Sequence, residues 1–187
     1  MLFILSHFSM CNMSESYVIQ IVGYSQTGKT TLLEKLIEIL IKQNFTILVI
    51  KSAQTHSYEY SKKDSDRFLS AGAQASAVFF KNLIQLSFSK QNSPELEISK
   101  IIKAFNYDFV FIEGFKDLSF PKILTCSEKF PDSNILDYNT IRYLYCPQDS
   151  QLNINKTIKT MIEEDKIILL RTVEKLASSI IRGLESG

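Results

Sequence analysis

The sequence predicts an α/β protein: a mostly parallel sheet covered by helices on both faces, with one antiparallel hairpin added. Short apolar runs alternate along the chain with stretches whose apolar residues return at helical spacing, the signature of repeated strand–helix units. Several of those runs are continuously apolar, as strands buried on both faces are. One neighbouring pair of runs is separated only by Lys81-Asn82, which suggests a hairpin turn.

Taken in order, YVIQIV (Tyr17 to Val22) reads as a buried strand. The helix after it repeats apolar pairs at Leu32/Leu33, Leu36/Ile37 and Leu40/Ile41. FTILVIK (Phe45 to Lys51) is a second buried strand, and KDSDRFLSAGA (Lys63 to Ala73) a short helix that ends near Gly72. The hairpin strands are Ala75 to Phe80 and Leu83 to Phe88. Ser93-Pro94 opens a helix with a capping serine and a proline at its first position, and its stripe is Ile98, Ile101, Ile102 and Phe105. DFVFIEG (Asp108 to Gly114) is a fifth strand. PKILTC (Pro121 to Cys126) and IRYLYC (Ile141 to Cys146) are two more, separated by the loop Ser127 to Asn139. A last helix from about Glu164 carries Leu169, Val173, Leu176, Ile180 and Leu184 on one face.

The 187 residues, 45% of them hydrophobic, suit one domain over residues 17–187. The opening residues 1–16 are read as a poorly ordered extension. Their apolar part, Leu2 to Phe8, has no basic flank and is far too short to span a bilayer, and Met10 and Met13 leave the translation start open. Other apolar stretches are broken by Lys or Glu, so no membrane segment is expected. A formal charge of +1, with no stretch that gathers the basic residues, argues against nucleic acid as a partner. Cys11, Cys126 and Cys146 form an odd, scattered set without a CxxC pair, and only His7 and His56 would supply nitrogen ligands. A reducing, cytoplasmic setting without structural metal follows as the expectation.

Between the first strand and the first helix lies GYSQTGKTT. Gly23-Tyr24-Ser25-Gln26-Thr27-Gly28-Lys29-Thr30 matches G-x-x-x-x-G-K-[ST] in full, in the strand-to-helix context that a phosphate cradle needs. Its glycines let the backbone wrap phosphate closely, and successive N–H groups with the helix N-terminus supply positive potential. Lys29 would reach the β- and γ-phosphates and Thr30 would hold Mg²⁺. The fold class thereby sharpens to a P-loop NTPase three-layer sandwich. Glu113, after four apolar residues and before Gly114, occupies the Walker-B position, where it would hold Mg²⁺ through water or orient the attacking water. In KKDSDR, Asp64 and Arg67 are three apart on a short helix after a loop that would act as a switch, or else they form a helix-surface ion pair.

GYSQTGKTTLLEKLI, VIK, KDSDRFLSAGA and FVFIEGFKDLSFPKI, in this order and spacing, resemble the molybdopterin-guanine dinucleotide biosynthesis protein B (MobB) family. The resemblance runs from about Val18 to Leu124, and its KDSxR…AGA and EGFK…PKI signatures are more specific than the P-loop. It implies a cytoplasmic, dimeric GTP-binding protein with slow Mg²⁺-dependent GTP hydrolysis. Such a protein assists the nucleotidyltransferase that joins GMP to molybdopterin. Carried over by match, phosphate and Mg²⁺ roles fall on Gly23, Ser25, Gly28, Lys29, Thr30 and Thr31, and on Asp64, Ser65 and Arg67 of KDSxR, with Asp64 a further Mg²⁺ ligand. Lys116 and Lys122 match the EGFK and PK elements. They would meet an anionic pterin phosphate, or stand as solvated surface lysines.

Two departures from the family pattern matter. Relatives often carry several histidines after the second strand, where this chain reads KSAQTHSYEY with His56 alone. The guanine-reading NKxD motif is absent, since Asn155-Lys156-Thr157-Ile158 lacks the aspartate, and Asp149 stands as the substitute acceptor for the guanine N–H groups or as a plain turn residue. A P-loop small-molecule kinase and a regulatory nucleotide-binding scaffold are the alternatives. The first would usually carry an Arg-rich lid, which is not found here. The hairpin strands and the last helix are apolar enough to form a dimer interface, although burial within the domain explains them too.

Overall fold

A computed structural model of the chain describes residues 16–53, 64–90, 92–126, 137–147 and 156–185; of Asp64 and Ser65 it describes the backbone alone. These residues group into two compact units, one from residues up to Ser52 together with Ile102 onwards, the other from Ala53 to Ile101.

The first unit contains a six-stranded, wholly parallel sheet. Its strands are β1 (Tyr17–Val22), β2 (Ile47–Lys51), β5 (Phe109–Glu113), β6 (Lys122–Thr125), β7 (Ile141–Tyr145) and β8 (Ile168–Leu170). They lie in the order β2-β5-β1-β6-β7-β8. Helices α1 (Lys29–Ile41), α4 (Lys156–Glu163) and α5 (Val173–Glu185) also belong to this unit. The side chains of one face, Ile19, Ile21, Phe109, Phe111 and Ile123, pack with Leu33, Leu36 and Leu40 of α1 and Leu176 and Ile180 of α5. On the other face Val22, Leu124 and Leu144 pack with Ile158 of α4 and with Tyr138 from a 3₁₀ turn at Tyr138–Thr140. The period-2 alternation of a strand thus feeds two cores from one sheet.

The second unit holds α2 (Asp64–Ser70), the hairpin β3 (Ala75–Phe79) and β4 (Ile84–Phe88), and most of α3 (Pro94–Ala104). The hairpin pairs antiparallel in the expected register, Ala75 opposite Phe88 and Phe79 opposite Ile84, and forms a separate two-stranded sheet. It stands in its own unit because its strands bond to each other and not to the parallel sheet.

Four expectations need correction. β2 begins at Ile47 and is an edge strand, so it is only partly buried, with Val49 exposed. In α3 Ile98 is buried and Ile101 and Ile102 half-buried, but Phe105 lies beyond the helix end and is exposed. The last helix starts at Val173, not near Glu164: α4 closes through hydrogen bonds from Asp165 N to Ile162 O and from Lys166 N to Met161 O. Asp165 adopts φ 55°, and Leu169 lies on β8 beside Leu144 of β7. Cys126 and Cys146, 20 residues apart, come abreast after β6 and β7 with Cα atoms 5.0 Å apart, the span that a disulfide bridges. Their scattered sequence positions therefore say little about compartment. Among the described residues no helix is long and apolar enough to cross a membrane.

Candidate functional site

The carboxyl ends of β1, β5 and β6 meet where the chain's connections diverge to opposite sides of β1, the crevice in which open α/β sheets bind ligands. Residues 23–28 leave β1 there and turn into α1. Gln26 and Gly28 both adopt left-handed backbone, φ 62° and 76°, and the first helical bond runs from Leu32 N to Gly28 O at 2.8 Å. At Gly28 the missing Cβ makes this conformation cheap; at Gln26 it is held by the rest of the loop. Gly23 is required for space: a Cβ would lie 2.2 Å from Thr125 Oγ1 and 2.9 Å from Thr27 Oγ1. Those hydroxyls share a hydrogen bond at 2.7 Å, which ties the loop to the end of β6. Ser25, Gln26 and Thr31 are exposed at the mouth of the turn.

Lys29 donates to the carbonyl of Tyr24, folding its ammonium back over the loop. Burial lowers its pKa from the usual lysine value; Glu113 opposes the shift, and Lys116 and Lys51 add to it. Thr30 Oγ1 lies 3.1 Å and 3.3 Å from the two carboxylate oxygens of Glu113. Glu113 is buried at the end of β5, and the ammonium of Lys51 lies 3.5 Å from its Oε1. A hydroxyl and a buried carboxylate side by side at the mouth of a phosphate loop are an oxygen donor set that suits Mg²⁺, which takes one or two protein oxygens and keeps several waters.

Gly114 follows with φ 94°, and a Cβ on it would lie 2.7 Å from Ser52 Cβ, so the turn after Glu113 admits only glycine without movement. Phe115 is also left-handed, φ 51°. Gln20, fully buried on β1, holds this turn by donating from Nε2 to the carbonyls of Gly114 and Phe115. Lys116 then sits 5.7 Å above the Tyr24 ring, a cation–π contact that draws the β5–β6 loop onto the phosphate loop.

Lys122 is neither a surface anion ligand nor a solvated lysine. Its side chain is 0% exposed, and it donates to the carbonyls of Leu118 and Phe120. Burial lowers its pKa, against the pull of Asp137 and Asp117. Lys122 and Gln20 are register partners on β6 and β1, so together they staple both ends of the 114–121 loop. Asp64, Ser65 and Arg67 lie on α2 in the second unit, where Asp66 is buried and Arg67 is exposed. Asp149 falls outside the described residues. Lys51, Thr125 and Gln20 were missed by sequence reasoning. The VIK run ends on Lys51, but only the β2–β5 register shows it abreast of Glu113.

A parallel sheet that ends in a glycine-bounded loop, a helix-starting lysine and threonine, and a strand-end carboxylate defines a P-loop NTPase fold. The model of the family described as molybdopterin guanine dinucleotide synthesis protein B matches residues 18–142. The chain belongs to this MobB family. A molybdopterin-guanine dinucleotide biosynthesis adapter protein of Haemophilus influenzae is 35% identical over 107 residues, 56% of this chain and 60% of that one. A Methanocaldococcus jannaschii relative with an adapter description of the same kind is 31% identical over 151 residues, 79% of this chain and 61% of its own length. The chain thus spans about three fifths of the length of these two curated relatives. In fold it is similar to the crystal structure of Bacillus subtilis MobB, with TM-score 0.64, 22% identity and coverage of 89% and 96% of the two chains. It is also similar to Helicobacter pylori HypB solved with nickel, with TM-score 0.50, 15% identity and coverage of 92% and 89%. At such identities both likenesses concern the fold alone.

Proposed function

We propose that this chain is a GTP-binding adapter of molybdenum-cofactor biosynthesis, which hydrolyses GTP slowly with Mg²⁺ and works beside the nucleotidyltransferase that joins GMP to molybdopterin. The observation that carries the nucleotide part is the Thr30–Glu113 contact at the mouth of the phosphate loop, 3.1 Å at its shorter arm. The adapter part rests on family membership and on the names of the relatives.

In this reading the backbone N–H groups of residues 23–31 cradle the phosphates at the α1 N-terminus. Lys29 leaves the Tyr24 carbonyl for the β- and γ-phosphates, and Thr30 and Glu113 hold the metal. When bound, Mg²⁺ supplies charge neutralisation for the transferring phosphoryl group. Lys116, seated over Tyr24, is the cation that the β5–β6 loop brings to bound anions. The protein acts in the cytoplasm as a homodimer. The hairpin supports the dimer, since Phe79, Ile84 and Phe88 of its two-stranded sheet, with Leu83 just before β4, are all more than half exposed.

The test is reconstitution of dinucleotide formation from molybdopterin and GTP by the purified nucleotidyltransferase, with and without this protein. Stimulation by the native chain and none by Lys29→Ala is the expected result. Equal yields in all three reactions would remove the adapter reading.

A further inference from the structure

The parallel register sets Lys51 directly opposite Glu113, each as the last residue of its strand. The two side chains meet different solvent. Glu113 is 10% exposed in its side chain and Lys51 59%, with 3.5 Å between Nζ and Oε1. A carboxylate that has lost most of its water needs compensation. Thr30 offers it one hydroxyl hydrogen, while the nearby Lys29 ammonium is engaged on the Tyr24 carbonyl. Lys51 is the cation whose salt bridge reaches Glu113 among the described residues.

We infer that Lys51 is the resting-state counter-ion of Glu113: it occupies the carboxylate before the divalent cation does, and is displaced when Mg²⁺ arrives with the nucleotide. Two cations beside one carboxylate repel each other, so metal entry favours the ammonium's departure. The long, flexible, largely solvated stem of Lys51 makes that exit inexpensive. The β2 strand end thereby sets the divalent-cation requirement of the site, and Lys51 acts as a positioning residue for Glu113. This rests on the reading of the site as one for Mg²⁺ and nucleotide.

The experiment titrates Mg²⁺ into the full chain at fixed, subsaturating fluorescent guanine triphosphate and follows binding, in parallel for the native protein, Lys51→Met and Lys51→Arg. Lys51→Met should lower the Mg²⁺ concentration at half-saturation about twofold to fivefold, as expected for loss of a partly exposed competing charge. Lys51→Arg should stay close to native. An unchanged Mg²⁺ midpoint in Lys51→Met, with nucleotide binding intact, would overturn this inference alone. Weaker nucleotide binding by Lys51→Met without Mg²⁺ would overturn it too, by making Lys51 a phosphate ligand. Failure of the native chain to bind the nucleotide at all would remove the functional reading and the inference with it.

Discussion

β5 buries all five of its side chains, Phe109 to Glu113, whereas β4 buries none of Ile84 to Phe88, although both read as apolar strands. β5 has β2 on one side and β1 on the other, with cores on the sheet's faces; β4 has β3 alone. Apolar content therefore foretells a strand, and neighbours decide whether it is covered. The same contrast separates two lysines, one within the β5–β6 loop and one on the strand that ends it. Lys122 lies on a central strand and is fully buried, while Lys116 rides above the P-loop on Tyr24.

The largest effect should come from the buried strand. Phe111→Ala, in the middle of β5, is expected to destabilise the protein by about 3–5 kcal/mol, read from denaturant unfolding. Gly114→Val should cost about 1–3 kcal/mol through its left-handed backbone, and more through the approach of Ser52. Lys122→Met should cost about 1–3 kcal/mol, because the carbonyls of Leu118 and Phe120 lose their donor. If Lys122→Met left stability unchanged, the staple would be ornamental. Smallest in fold stability is Phe79→Ala on the hairpin, expected within about 0.5 kcal/mol of native. Its effect should appear instead in sedimentation, as a shift of the proposed dimer towards monomer. A Phe79→Ala protein that unfolds as readily as Phe111→Ala would erase the distinction between the two regions.

Acid–base behaviour sharpens the site itself. Lys29 loses its proton below the ordinary lysine value, chiefly because it is buried. Nucleotide affinity that depends on this ammonium should decline as pH rises through the lowered pKa, earlier than an ordinary lysine would lose its charge. Lys29→Arg should hold its affinity flat over that range, at whatever level its longer head allows.

Much of this was legible because local signals were strong. Tyr17–Val22 as a strand, Gly28-Lys29 as a helix start and Lys81-Asn82 as a hairpin turn each combine a pattern with punctuation. β8 was not, since three residues, Ile168–Leu170, are too short to separate from the helical stripe that follows. α4 carries Ile158, Met161 and Ile162 at helical spacing, a signal that was present and unused. In the site, the P-loop and Glu113 were readable from spacing. Gln20, Thr125, Lys51 and the burial of Lys122 depend on strand register, which no stretch of sequence contains.

The measurement that tests the central claim most directly is calorimetric titration of the full chain with GTP and with ATP in the presence of Mg²⁺, with Lys29→Ala as the control. The account predicts binding that favours GTP and is lost in Lys29→Ala. Equal or ATP-favoured binding, or binding that survives the substitution, would contradict it.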